Sequence, residues 1–215
     1  MTSASPLETL SDRGRIPFCL RRVVFAGKPQ IHVLSGRGPL SMVQYKIRHD
    51  NVALTIHQQI LRAFGADYNR RYWWKKTPPR SVQLPNGGYL RWDPKLRTTS
   101  RLEHDHPDLL LKTPSGHLYI IEVTVCTDSA VATRHNEKMI SYQRLADDLS
   151  RINRSRTRVL VFAIGTLGTV PEAIHDSLQV LATEGIKISL PKLQRFAAIG
   201  SVRIAKEVLA LPIPT

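Results

Sequence analysis

The sequence predicts an α/β domain in which a mixed β-sheet is flanked by α-helices. Residues 109–111 and 118–125 are two apolar runs that read as neighbouring strands, the second rich in β-branched and aromatic side chains. Residues 131–152 carry apolar side chains at helical spacing. Residues 159–164 are apolar throughout, which is typical of a central strand buried on both faces. At 215 residues, the chain is long enough for one domain with a substantial core.

The two strands at residues 109–111 and 118–125 are predicted to form a hairpin around the Thr-Pro-Ser-Gly turn at residues 113–116. Folding this hairpin about Ser115 places Asp108 opposite Glu122, to within one residue. Two carboxylates directly across an antiparallel pair repel each other. A divalent cation between them would offset that repulsion, since hard cations take oxygen ligands.

The predicted helix at residues 131–152 directs a lysine toward the same point. Its apolar stripe also contains His135 and Lys138, and its other members are Val131, Tyr142, Leu145, Leu149 and Ile152. A lysine on a buried face needs a partner, and the carboxylate pair is within reach. Two carboxylates and a lysine suit metal-assisted phosphodiester hydrolysis. The alternative is that the carboxylates face solvent and the lysine extends to the helix edge.

The charge of the chain favours a polyanionic partner. Lys and Arg number 31 against 17 Asp and Glu, which gives a formal net charge of +14 and a pI of about 10.3. No apolar segment long enough for a membrane span is visible in the sequence. The two cysteines, Cys19 and Cys126, are too few for a disulfide framework and fit a reducing compartment.

Residues 68–80 carry the best signal for nucleic-acid contact outside the acidic centre. Basic side chains alternate there with aromatic ones, which suits phosphate neutralisation and stacking on unpaired bases. The alternative is that a tryptophan packs under the sheet while the charges are merely solvated. The side chains predicted to bind nucleic acid are Arg70, Arg71, Trp73, Lys75 and Lys76, with Arg101 on the approach to Asp108.

The N-terminal part of the chain is predicted to hold an irregular segment and one helix. Residues 1–41 mix Ser, Pro, Gly and Arg, which predicts a flexible basic arm or the remnant of an upstream domain. Asp50 is a suitable N-cap for a helix ending near Phe64. His57 lies on the core face of that helix, and His49 is expected at the surface.

The remaining elements follow from turn and cap signals. Residues 82–84 and 89–92 flank Asn-Gly-Gly and predict a second hairpin. Thr-Val-Pro-Glu predicts a capping box that opens a helix over residues 169–183. Residues 186–189 are predicted as a short strand, and residues 191–209 as a final helix with a basic side.

Several short motifs resemble one family in their order and spacing. With 13 residues between Asp108 and Glu122, the chain resembles the restriction-like endonuclease domain of non-LTR retrotransposons, a branch of the PD-(D/E)xK nucleases. The matching pieces are His49-Asp50-Asn51-Val52, Ile56-His57, Leu90-Arg91-Trp92-Asp93, His106-Pro107-Asp108, Ile121-Glu122-Val123, Glu137-Lys138, Tyr142-Gln143, Gly165, Leu167-Gly168-Thr169-Val170, Leu193-Gln194-Arg195 and Ala197-Ala198-Ile199-Gly200.

The resemblance implies a restriction-endonuclease-like fold over residues 42–215 and a Mg²⁺-dependent endodeoxyribonuclease that nicks target DNA for retrotransposon insertion. Asp108 and Glu122 would hold Mg²⁺, with Mn²⁺ as a possible substitute, and Lys138 would take the catalytic lysine's role. Thr124 stands where simpler members place that lysine. Asp105-His106 stand where relatives carry two arginines.

The resemblance also implies partners and a location. The implied partners are DNA, the RNA of a parent element and an upstream reverse transcriptase domain, and no membrane is involved. The implied site of action is the nucleus. Two alternatives stay open. One is a catalytically inactive nucleic-acid-binding remnant of a retroelement polyprotein. The other is a junction-resolving or repair nuclease of the same fold.

Overall fold

A computed structural model describes residues 41–66, 78–99 and 102–210. These residues form four α-helices and five β-strands, with a short 3₁₀ helix at Asp128–Ala130. In chain order the elements are α1 (Ser41–Ala63), β1 (Ser81–Gln83), β2 (Tyr89–Trp92), β3 (Leu109–Lys112), β4 (Leu118–Cys126), α2 (Val131–Asn153), β5 (Thr157–Gly165), α3 (Ile174–Thr183) and α4 (Leu190–Ala210).

The five strands make one mixed sheet in the order β1-β2-β3-β4-β5. The pairs from β1 to β4 are antiparallel, and β5 pairs with β4 in parallel through the crossover that contains α2. The predicted α/β class, with a mixed sheet flanked by helices, is therefore confirmed. The arrangement is compatible with a restriction-endonuclease-like fold.

Apolar side chains on the two faces of the sheet form two separate core layers. On one face, residues such as Ile121 and Phe162 pack with side chains of α1, α3 and α4. On the other, Ile120 and Val161 pack with α2 through Leu145. Alternate residues of β4 thus enter opposite layers, as the period of a strand requires. Glu122 follows Ile120 by two positions and belongs to the α2 side.

The predicted hairpin has the predicted register. Leu109 pairs with Ile121 and Lys112 with Leu118, so the hairpin is centred on Ser115. The backbone N–H of Thr113 donates to the carbonyl of His117 at 3.0 Å and closes the turn. The same register, continued one residue beyond β3, sets Asp108 opposite Glu122.

Helix α1 begins earlier than the sequence predicted. It starts at Ser41, so Asp50 lies inside the helix and does not cap it. Its carboxylate pairs with Lys46 one turn earlier, at 3.1 Å, which stabilises the residue at a helical position. His49 is therefore a helical residue whose direction is set by α1.

The prediction for β5 at residues 159–164 was right in its burial, too short by two residues at the start and one at the end, and wrong in its position. The strand is buried on both faces, but it stands at the end of the described sheet. Helices α2 and α3 flank its outer edge and leave a cavity of about 450 Å³ there. Because helices cover this edge strand, its residues are buried and apolar like those of a central strand.

Three further expectations are corrected. Helix α3 starts at Ile174, and its N-cap residue, Ala173, makes no side-chain cap, so the capping box does not form. Residues 186–189 form no strand; the N–H of Ser189 donates instead to Oε1 of Gln59 at 2.7 Å. Ile152 is 49% exposed and does not belong to the buried stripe of α2. The predicted extents of α2 and α4 agree with the structure to within one residue.

The predicted arm at residues 1–41 falls almost wholly outside the described residues. So do all the side chains predicted to bind nucleic acid: Arg70, Arg71, Trp73, Lys75, Lys76 and Arg101. Within the part of the chain that the structure describes, no helix combines the length and the apolar character needed to cross a membrane.

Candidate active site

Asp108 lies where the pairing of β3 with β4 ends. Its backbone carbonyl accepts the N–H of Asp93 at 2.7 Å, which holds this segment against the end of β2. Its side chain turns to β4, where Oδ2 accepts the N–H of Val123 at 2.7 Å. The carboxylate is thus fixed by the backbone of the neighbouring strand.

Glu122 contributes a buried carboxylate from the middle of β4. Its side chain is only 5% exposed, and Oε2 has no hydrogen-bond partner among the described residues. Burial raises the pKa of Glu122, and the charge of Asp108 raises it further, against the opposing effect of Lys138. The two carboxylates are therefore close enough to interact, as the hairpin register predicts.

Lys138 reaches this pair from α2. Its Nζ donates to Oε1 of Glu122 at 2.6 Å and lies 5.7 Å from the centre of the Tyr142 ring. The lysine side chain is 34% exposed, so part of it faces solvent. The helical stripe that also buries His135 and Tyr142 explains why the lysine points toward the sheet.

His49 is the site residue that the sequence analysis assigned to the surface. Its Nε2 lies 3.2 Å from Oδ2 of Asp108 and 3.0 Å from the carbonyl oxygen of Val123. Its Nδ1 lies 3.1 Å from Oδ1 of Asp50. Both ring nitrogens thus face oxygen acceptors, an arrangement that an imidazolium satisfies and a neutral ring does not.

The charge of His49 follows from these contacts. Burial opposes the charge, but the hydrogen bonds to Asp108 and Asp50 outweigh it and raise the pKa of His49 to about 10. Near neutral pH the imidazolium therefore neutralises Asp108. With Lys138 on Glu122, each carboxylate of the pair has its own cation.

Tyr142 closes the α2 side of the site. It is buried, and its hydroxyl lies beside Glu122 but donates its hydrogen to the carbonyl of His106 at 3.1 Å. Burial and the nearby charge of Glu122 both raise the pKa of Tyr142. The tyrosine hydroxyl is therefore a neutral group that ties the segment before Asp108 to α2.

The carboxylate oxygens of Glu122 and Asp108 are suitable ligands for a divalent cation. Oε2 of Glu122 is a buried acceptor that lacks a protein donor, and the opposing Asp108 adds a second carboxylate. Carboxylate oxygens suit Mg²⁺, which keeps several water ligands and needs few from the protein. In the described ranges no group of three or more His, Cys, Asp or Glu side chains is arranged to hold a metal. The pair of opposing carboxylates, Asp108 and Glu122, are the residues that could hold a divalent cation.

The structure brings together three side chains named from the sequence, Asp108, Glu122 and Lys138, and adds His49 to them. The sequence neighbour of His49 gives one indication of its role. Asp50 is an acid beside the imidazole ring, and an adjacent carboxylate favours the protonated ring. Its partner Asp108 lies 59 residues further on, and local patterns do not reveal such a contact.

No protein-family model matches the chain, and no curated protein matches it either.

Proposed function

We propose that this chain is a metal-dependent DNA endonuclease that nicks a target strand, in support of retrotransposon insertion. The observation that carries the proposal is the environment of Glu122. One of its oxygens accepts a hydrogen bond from Lys138, the other is buried without a donor among the described residues, and Asp108 lies opposite. A carboxylate pair beside a lysine suits charge stabilisation on a phosphodiester.

The roles of the residues follow from their positions. Asp108 and Glu122 would hold Mg²⁺, which when bound supplies Lewis-acid polarisation of the phosphate and a more acidic water. Lys138 holds Oε1 of Glu122 and presents its solvent-facing side to the negative charge that develops on the reacting phosphate. The N–H of Val123 fixes Asp108. Preorganised groups of this kind stabilise a transition state without reorganisation at the moment of reaction.

The biological setting rests on the family resemblance and on charge. A net charge of +14 favours DNA, and the RNA of a parent element is a second polyanion of the same kind. In this proposal a reverse transcriptase domain acts with the chain, and the nicking takes place in the nucleus.

A plasmid assay tests the activity. Purified wild-type protein is incubated with supercoiled plasmid in Mg²⁺, in Mn²⁺ and in EDTA, and open-circular product is quantified. We expect nicking in either metal and none in EDTA. Lys138→Met, purified in parallel, controls for contaminating nucleases and should be inactive. If wild-type protein and Lys138→Met give equal amounts of product, the activity does not come from this site.

A second candidate function has one observation in its favour. His49 already neutralises Asp108 through Oδ2, so the attraction of that carboxylate for a second cation is weakened. A nucleic-acid-binding protein without catalysis would tolerate that arrangement. Binding of DNA by wild-type protein with no nicking of plasmid or of a four-way junction, at any Mg²⁺ concentration, would favour it over the nuclease.

A further inference from the structure

A groove runs between α1 and α4 on the face of the domain opposite α2. The two helices are antiparallel: Arg48 bonds to Ser201 at one end, and Gln59 bonds to Ser189 at the other. Two adjoining cavities of about 340 and 380 Å³ lie along the groove and share Phe196 and Ile199. The groove thus runs beside residues 51–62 of α1 and residues 192–203 of α4.

The α4 side of the groove is a basic stripe. Its members follow each other at intervals of three or four residues, which places them on one face of a helix, and all of them are exposed. The stripe spans about 21 Å at 1.5 Å per residue, roughly the rise of six nucleotides of one B-DNA strand. The stripe consists of the cations Lys192, Arg195, Arg203 and Lys206, with the apolar Ile199 between Arg195 and Arg203.

The α1 side of the groove is polar and carries no acidic group. Asn51, Thr55, Gln58 and Arg62 line it at helical spacing. The two cavities have no Asp or Glu among their described lining residues. Gln58 is only 3% exposed, and its Oε1 has no hydrogen-bond partner among the described residues. This amide oxygen accepts hydrogen bonds, so a water molecule or another donor can satisfy it, whereas a phosphate cannot.

We propose that the groove between α1 and α4 binds the sugar–phosphate backbone of DNA, a substrate class that rests on the proposed function. Cations at helical spacing match the regular charges of a strand. Phe196 and Ile199 give the floor an apolar surface for the sugar edges. One end of the groove, at Asn51, lies two residues from His49, which contacts Asp108. The groove and the acidic site are thus both built on α1.

Binding is measured by fluorescence anisotropy of a labelled 30-base-pair duplex in EDTA, so that no catalysis intervenes. The test variant is Arg195→Gln with Arg203→Gln. We expect its affinity to fall about tenfold near 100 mM salt, and the slope of log K against log salt to fall by roughly 1.8, at about 0.9 per lost phosphate contact. The matched control, Arg144→Gln with Arg156→Gln, removes two exposed arginines from the α2 side of the sheet and should bind as wild type does.

A second variant tests the amide. Gln58→Met keeps the volume and removes the buried amide, so it should fold with unchanged or higher thermal stability. Because phosphate and deoxyribose have no donor for Oε1, this variant should bind the duplex as wild type does. Circular dichroism melts on all variants establish that each one folds.

The outcomes separate this proposal from the proposed function. Equal affinity of wild type and the Arg195, Arg203 variant, with plasmid nicking intact, overturns the groove alone. Failure of wild type to bind any nucleic acid overturns both. Tighter binding of a single-stranded RNA of matched length than of the duplex, lost in the same variant, overturns the choice of DNA. Loss of duplex binding in the Arg195, Arg203 variant, with the Arg144, Arg156 control and Gln58→Met unaffected, supports the proposal.

Discussion

Lys138 on α2 donates a hydrogen bond to Glu122 on β4, over 2.6 Å, across the junction between the helix and the sheet. The carboxylate is nearly inaccessible, whereas the lysine retains contact with solvent. This asymmetry decides how each partner responds to mutation, because a buried charge depends on its partner far more than a solvated one does.

Lys138→Met should abolish nicking and leave DNA affinity near the wild-type value, because the charge acts chiefly on the transition state. The same variant leaves the Glu122 carboxylate without its cation. We therefore expect the free energy of unfolding at pH 7.5 to fall by roughly 1–3 kcal/mol, between the values for exposed and buried pairs. Urea unfolding measures this loss. In a Glu122→Gln background the loss should largely vanish, and a loss that persisted there would show that the pair is not its cause.

Glu122→Gln should change how stability depends on pH. Burial, aided by Asp108, raises the pKa of Glu122, so its favourable contribution is complete below about 4.5 and is lost as pH rises through the raised value. The stability of wild type relative to Glu122→Gln should therefore fall as pH rises from 4.5 toward 8. Urea unfolding at four pH values over that range gives the difference. A difference that stays constant would place Glu122 in contact with solvent.

The difference in stability between wild type and His49→Gln should depend on pH over a higher range than that for Glu122→Gln. Hydrogen bonds to Asp108 and Asp50 outweigh burial and raise the pKa of His49 from 6.5 to about 10. Its contribution is thus fully present below pH 6.5 and is lost as pH rises through about 10. Wild type should exceed His49→Gln in stability at pH 6, and the two should converge toward pH 10. NMR titration of the His49 ring checks the same pKa directly, and a value near 6.5 would contradict the contacts described.

Gly200→Ala should destabilise the packing of α1 against α4. A Cβ at Gly200 would lie 2.4 Å from Cγ and 2.8 Å from Cβ of Arg48, whose guanidinium is buried against Ser201. The helices must separate or Arg48 must move, at a cost of about 1–3 kcal/mol, which a thermal melt measures. Ile199→Ala, at an exposed neighbour in the same helix, serves as the control and should melt close to wild type. Equal melting of all three proteins would show that Arg48 moves without resistance.

Patterns within a few residues predicted the hairpin and α2, because the turn at residues 113–116 fixes one register and the stripe through Leu145 fixes one helical face. The position of β5 in the sheet could not be read in the same way. A strand covered by α2 and α3 at its edge has the same apolar composition as a central one.

His49 shows the limit of the site prediction. Asp50 resembles a helix start, but its stabilising partner, Lys46, lies upstream inside a longer helix. With Asp50 taken as the N-cap, His49 lay outside the predicted helix, and the helical pattern could not predict where its side chain points. Only the docking of α1 against the sheet reveals that its ring meets Asp108.

The contacts of the site also differ in their reach along the chain. Asp108 meets Val123 over 15 residues and Glu122 meets Lys138 over 16, whereas His49 meets Asp108 over 59. Short loops close at lower entropic cost than long ones. The hairpin and α2 can therefore assemble the two carboxylates and the lysine early in folding, and α1 delivers the imidazolium later. Until that docking step, the Asp108 carboxylate has the N–H of Val123 as its hydrogen-bond donor but lacks the charge of His49.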